Sequence, residues 1–376
     1  MNRLLLFIAS VLAAGNAFSQ KTLKSAYADA FMMGCAINSQ IVSGRDSRST
    51  EIILQQFNAV SPENDMKAEV IHPRPDTWNF EPADRFVKFA NDNNLWSLGH
   101  TLVWHNQTPD FFFNHPDGTP KTKDEMVETM RSYIEKVAGH FAGKIDAWDV
   151  VNEIIDNDGS YRKTVWTNAF EGDGDELVRL AFKFASQYDP NAELYYNDFN
   201  AWRPTKRDGI ARMVRMLQEH GIRIDGVGIQ AHWGLNFPKN EYIIAAIDTF
   251  AALGVKVMIT EMDVDVLPLT REGQVIGRIL QDPLFQLEEF EIYLDPYKTG
   301  LPDDVQERLT DRYRELMQIF YDRRDKIDRV TFWGLHDGMS WKNGYPIPNR
   351  TNYPLLFNRD RTPKPAFHAI LEIPEQ

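Results

Sequence analysis

One cysteine, Cys35, is all this chain of 376 residues contains. No disulfide can form within it, so a large packed core must hold the fold, and Cys35 is expected as a small buried hydrophobe. No Ser/Pro-rich hinge, low-complexity linker or long block of one charge divides the sequence, which argues against separate domains. Positive charge is in deficit: the net charge of −13 disfavours nucleic acid and anionic lipid surfaces as partners. Leu4 to Ala14 is apolar but too short to cross a bilayer. With Arg3 before it and Ala17-Phe18-Ser19 after it, the run is expected to be a signal peptide over residues 1–19, preceding a catalytic domain over 20–376. No cysteine follows the run closely, so a lipoprotein is not expected.

What the chain does have is alternation. Short β-like runs are read at Phe31 to Asn38, Phe57 to Ser61, Leu95 to Val103, Ile145 to Val151, Glu193 to Asn197, Val227 to Ala231, Val255 to Thr260 and Val330 to Leu335. Several are continuously apolar, as strands buried on both faces are. Between them lie amphipathic stretches with readable ends. Thr122 to Glu125 forms a capping box ahead of Met126, Met130, Ile134, Val137 and Phe141. Ile210, Met213, Leu217 and His220 form a stripe closed by Gly221, and Ile243, Ile247 and Phe250 precede Gly254. Leu309, Tyr313, Leu316 and Phe320 mark the last long helix. The pattern predicts an α/β fold, a single (β/α)8 TIM barrel. A doubly wound open sheet would want a Gly-rich phosphate turn after an early strand, and none is present. Leu267 to Thr299 is too long for an ordinary loop and is expected as an elaboration of the upper rim between the seventh strand and the last helix.

In such barrels the chemistry sits at the C-terminal ends of strands. Those ends are rich in polar residues: Glu63, Asn64 and Lys67; His100, Trp104 and His105; Asn152 and Glu153; Asn197 and Asp198; Gln230 and His232; Glu261 and Asp263; Trp333, His336 and Asp337. Polar groups there must be satisfied or face a cleft. A lone glutamate at a strand end is more often a salt-bridge or capping partner. Glu153 and Glu261, ending the fourth and seventh strands, can instead face one another as the carboxylate pair that glycosidic hydrolysis requires. A zinc site drawn from His100, His105, His232 and the glutamates is not expected: the first strand offers no His pair, and no His-Glu-x-x-His occurs. Asp156-Asn157-Asp158-Gly159 lacks the first acidic ligand of a calcium loop and reads as a turn.

Eight segments in order carry a more specific signal. They are Ser61-Pro62-Glu63-Asn64-Asp65-Met66-Lys67, Gly99-His100-Thr101-Leu102-Val103-Trp104-His105, Trp148-Asp149-Val150-Val151-Asn152-Glu153 and Tyr196-Asn197-Asp198, followed by Gly228-Ile229-Gln230-Ala231-His232, Ile259-Thr260-Glu261-Met262-Asp263, Phe332-Trp333-Gly334-Leu335-His336-Asp337 and Pro363-Lys364-Pro365-Ala366. In these the chain resembles glycoside hydrolase family 10, the barrel xylanases, from about Phe31 to the C-terminus.

The N-terminal apolar run leads to the expectation of a secreted or periplasmic protein, and a monomer is expected; the resemblance implies an endo-β-1,4-xylanase that retains anomeric configuration, with no cofactor or metal. Its partner would be xylan or a xylo-oligosaccharide. Glu153 would be the acid/base and Glu261 the nucleophile, their carboxyl groups about 5–5.5 Å apart. Asn152 would bind the 2-hydroxyl of the reacting sugar, and His232, fixed by Asp263, would touch Glu261. Glu63, Asn64, Lys67, His100, Asn197 and Gln230 would contact or shape the substrate site. Trp104, Trp333 and Trp341 would wall the cleft; by residue type alone these tryptophans read as core. The family also often holds the bond equivalent to His100-Thr101 in cis. Phe199 and Trp233 depart from it, standing where Tyr and a smaller or polar residue are common. A β-1,4-glucanase on the same barrel and a non-catalytic carbohydrate-binding homologue are the competing expectations.

Overall fold

The computed structural model describes residues 21–267, 295–345 and 349–375. The leader expected at residues 1–19 and most of the segment Leu267 to Thr299 lie outside the described residues. Eight strands form the ring: β1 (Met32–Ile37), β2 (Ala59–Pro62), β3 (Trp96–Val103), β4 (Ala147–Asn152), β5 (Glu193–Asp198), β6 (Gly226–Ile229), β7 (Lys256–Asp265) and β8 (Ile327–Phe332). Each pairs in parallel with the next, and β8 returns to β1, with Val330 opposite Met33 and Thr331 opposite Gly34. The sheet therefore closes on itself, and the expected barrel is the fold.

Helices separate the strands. Lys123–Phe141 starts as its sequence predicts: the Thr122 amide donates to the Glu125 carboxylate at 2.8 Å, and Thr122 Oγ1 accepts from the Glu125 amide. Met126, Met130, Ile134, Val137 and Phe141 are its buried face. Pro204–Glu219 opens on a proline, which lacks only an amide hydrogen that the first turn does not use. Its buried stripe stops at Leu217. His220 is exposed at the C-cap, where Nδ1 lies 2.8 Å from the Met216 carbonyl. The imidazole satisfies a free carbonyl at the helix end and adds nothing to the core, contrary to the stripe read above.

Two strands differ from expectation in length. β8 spans Ile327–Phe332, so Trp333 to Leu335 follow it as irregular chain. β7 runs past Thr260 to Asp265, because His232–Gly234 extends the line of β6 and pairs with Asp263–Asp265. Glu261 and Asp263 thus stand on a paired strand, a firmer base than a loop.

The core has two layers. Inside the ring, Leu98, Ala147, Tyr195 and Met258 pack together, with the buried Arg329 guanidinium 4.0 Å from the Trp96 ring. Outside, strand and helix side chains make one continuous apolar shell. Cys35 belongs to that shell, and burial pushes its thiol up. At the lower edge of this scale is a backbone contact: a Cβ on Gly209 would stand 2.4 Å from the Gly159 carbonyl oxygen. Glycine there lets the loop after β4 lie directly on the helix Pro204–Glu219. Asp156 to Gly159 is a turn, with the Gly159 amide donating to the Asp156 carbonyl at 3.0 Å.

Candidate active site

A cleft of about 570 Å³ opens at the C-terminal end of the barrel. Its wall includes Glu63, Asn64, Lys67, His100, Trp104, Asn152, Glu153, Gln230, His232, Glu261, Trp333 and Trp341. Asn197 and Asp263 stand directly behind this wall, hydrogen-bonded to Glu261 and His232. Larger hollows lie elsewhere, at the opposite end of the barrel and between two outer helices; in the first, Asp328 and Asp248 are already paired with Lys256 and Lys326.

A slip in the β4 ladder organises the cleft. Asp149 pairs with Tyr195, yet Val151 pairs with Tyr196, so β4 holds one extra residue. The bulge brings Asn152 opposite Asn197, the pair facing the interior. Glu153 follows with φ 61°, a left-handed conformation uncommon for a residue with a side chain, and its amide donates to the Asn197 carbonyl at 2.9 Å.

The two glutamates have different surroundings. Glu153 Oε1 accepts from Gln230 Nε2 at 3.0 Å, and Oε2 accepts from Trp104 Nε1 at 3.0 Å. Both donors are neutral. Glu261 Oε1 accepts from Asn197 Nδ2 at 2.7 Å, while Oε2 lies 3.1 Å from His232 Nε2. His232 Nδ1 in turn lies 3.0 Å from Asp263 Oδ2, which also accepts from Trp341 Nε1 at 2.9 Å. Burial alone would lower the His232 pKa, but the charge and hydrogen bond of Asp263, with those of Glu261, push it up to about 9. The ring is therefore an imidazolium at neutral pH. Burial would raise Glu261, yet the His232 hydrogen bond, the nearby His100 and the Asn197 amide together hold its carboxyl below the usual range.

Neighbouring groups are fixed by similar pairings. His100, joined to Thr101 by a cis peptide bond, sets Nδ1 2.8 Å from the buried Asp149 carboxylate. Lys67 Nζ donates to Asn64 and Gln107 at 2.8 and 2.7 Å and sits 5.1 Å from the Trp104 ring. Burial lowers its pKa, against the attraction of Glu261, Glu63 and Glu153. Burial likewise raises Glu63. The Asn152 amide admits two orientations. In one its oxygen accepts from Asn197 Nδ2 at 3.1 Å; in the other its nitrogen donates to the Asn197 carbonyl at 3.1 Å and its oxygen accepts from Trp104 Nε1 at 3.3 Å.

Not every polar strand end faces the cleft. Asp198 is buried against Lys206 at 2.7 Å, and Asp337 against Lys364 at 2.6 Å. His336 turns toward Asp46, and His105 borders a small separate hollow. Trp233 is buried and packs 6.2 Å from the Phe320 ring, away from the cleft, so it cannot bear on subsites directly. Phe199 does line the cleft. Sequence reasoning passed over Gln107, Arg162 and Tyr345, which also border it. All three come from loops, where no period marks a facing side. Asp149 was passed over too, although the alternation of β4 could have found it as an inward acid. Among the described residues no group of three or more His, Cys, Asp or Glu is arranged to hold a metal ion.

The profile of glycosyl hydrolase family 10 matches residues 22–373. Endo-1,4-beta-xylanase A of Xylanibacter ruminicola is 38% identical over 357 residues, covering 95% of this chain and 94% of that protein. Among solved structures, an endoxylanase of the same family retrieved from a sugarcane soil metagenome superposes with a TM-score of 0.85 at 37% identity, covering 94% of this chain and 100% of the other. A mutant solved in complex with xylotriose superposes at 0.80 with 34% identity, covering 93% and 99%.

Proposed function

The chain belongs to glycosyl hydrolase family 10, and on that premise we propose that it is an endo-β-1,4-xylanase that retains anomeric configuration. The carrying observation is the asymmetry of the carboxylate pair. Glu261 leans on an imidazolium and stays ionised, as a nucleophile must; Glu153 meets only neutral donors and is free to cycle a proton.

In the first step the Glu261 carboxylate attacks the anomeric carbon. The bond to the leaving oxygen breaks as Glu153 gives that oxygen its proton, and a glycosyl ester forms on Glu261. In the second, Glu153 takes a proton from water, the hydroxide equivalent displaces Glu261 from the anomeric carbon, and both carboxyl groups return to their starting states. Asn152 meets the 2-hydroxyl of the reacting sugar. His232, with Asp263 behind it, keeps Glu261 oriented. Glu63, Asn64, Lys67, His100 and Gln230 bind the sugars on the non-reducing side, between the rings of Trp104, Trp333 and Trp341. Residues 1–19 direct export, a reading that rests on the apolar run Leu4 to Ala14 and the small residues after it.

Xylohexaose hydrolysis followed by proton NMR tests the proposal. The expected first product is the β-anomer, which then mutarotates. Glu153→Gln and Glu261→Gln should each remove all but a trace of turnover. An α-anomer appearing first, or a Gln variant with wild-type rates, would overturn the mechanism. Faster cleavage of cello- than of xylo-oligosaccharides would overturn the substrate.

A further inference from the structure

We infer that Arg162 recognises a uronic-acid branch on the sugar lying at the leaving-group side of the cleft, so that acid-branched xylan is preferred over unbranched; the inference rests on the xylanase reading above. Arg162 belongs to the loop after β4. Its backbone is held at both ends, the amide donating to the Ile154 carbonyl at 2.7 Å and the carbonyl accepting from Thr167 Oγ1 at 2.7 Å. The side chain reaches the cleft and stacks its guanidinium 4.8 Å from the Phe199 ring centroid.

Among the described residues no carboxylate lies within ion-pairing distance of the guanidinium, and its buried Nε has no hydrogen-bond partner. Asp198, the acid beside Phe199, is already taken by Lys206 at 2.7 Å, both side chains fully buried. Several arginines elsewhere in this acidic chain are paired, Arg131 with Glu128 and Glu135, Arg361 with Asp46. An unmatched guanidinium beside an active cleft is costly unless a ligand matches it. Its planar fork suits a carboxylate, which it can bind through two parallel hydrogen bonds.

Position selects which sugar carries that carboxylate. Glu63, Asn64 and Lys67 come from the loop after β2, whereas Arg162 and Phe199 come from the loops after β4 and β5. Glu153 lies between them, and a general acid protonates the oxygen of the departing sugar, so that sugar lies on the Arg162 side. Xylose itself is neutral, so an anionic group there must be a branch.

The test compares kcat/KM on three substrates: linear xylohexaose, a xylo-oligosaccharide with one glucuronic-acid branch, and the same oligosaccharide with its carboxyl reduced to the alcohol. The wild-type protein should favour the acidic substrate over its reduced form by about tenfold at low salt, with the advantage shrinking as salt rises. Arg162→Gln should abolish that ratio and Arg162→Lys should restore part of it. An equal rate on the acidic and reduced forms in the wild-type protein overturns the inference without touching the xylanase reading. So does an Arg162→Gln variant that loses activity on all three substrates alike, which would make Arg162 a positioning residue for Phe199. Failure to cleave linear xylohexaose at all would sink the underlying function instead.

Discussion

Asp263 holds His232 through Nδ1 at 3.0 Å, and the far side of the same ring reaches Glu261 at 3.1 Å. The acid never touches the nucleophile, yet its negative charge sustains the positive ring that does. Removing the charge should be felt one residue away. In Asp263→Asn the ring loses its largest favourable interaction and spends more of its time neutral, and Glu261 then loses part of what holds its carboxyl down. The acid limb of the kcat/KM profile on xylohexaose should move to higher pH in this variant. An unmoved limb would mean that the imidazolium does not control Glu261.

The same triad gives a stability signature. The folded pKa of His232, about 9, lies above the ordinary 6.5, so its contribution is complete below pH 6.5 and is lost as pH rises through about 9. The shift corresponds to a few kcal/mol at most, roughly 3, for a fully buried ring. Denaturant titrations between pH 6 and 10 should show the wild-type protein losing stability across that window. His232→Gln should start lower and lack that slope.

Lys364 and Asp337 form an ion pair at 2.6 Å with neither side chain exposed, and Lys364 also donates to the Tyr353 carbonyl at 2.8 Å. Burial lowers the lysine and raises the aspartate, each opposed by the partner's charge. Lys364→Met should cost about 3–5 kcal/mol, since it strands a carboxylate in the core. The double variant Lys364→Met, Asp337→Leu should recover much of that loss in urea unfolding, although Asp337 also accepts from the Leu355 amide at 3.0 Å. A double variant no better than the single would show that the hydrogen bond outweighs the charge.

Gly209 permits a close backbone approach between the helix Pro204–Glu219 and the loop that carries Arg162. Gly209→Ala places a methyl group 2.4 Å from a carbonyl oxygen that is backbone and cannot swing aside. The expected cost is about 1–3 kcal/mol from overpacking, despite the higher helix propensity of alanine. Thermal unfolding measures it, and a variant with a raised Tm would mean that the loop yields freely.

The barrel was legible because its signals are local and repeated. Continuous apolar runs such as Val257 to Ile259 and capped helices such as Lys123–Phe141 each announce themselves locally. The cleft was legible for a different reason: the side chains that line it cluster just past strand ends. What sequence could not convey was partnership. Asp198 and Asp337 look as available as Asp263 until their lysines arrive from distant positions, Lys206 on a helix and Lys364 near the C-terminus. The extension at His232–Gly234, three residues long, was too short to carry a period, so the extra length of β7 stayed hidden with it. Trp233 was read by its neighbour His232 and then turned out to face the other way, as alternation along a strand requires.

Val150, the surplus residue of the β4 ladder, makes the site sensitive to strand register rather than to chemistry. Flattening the bulge, so that Val150 rather than Val151 lay opposite Tyr196, would leave both acids, the amide and every aromatic wall in the sequence. It would nonetheless swing Asn152 toward the helices and carry Glu153 out of reach of Gln230. A composition without a single missing functional group would then encode an inert molecule.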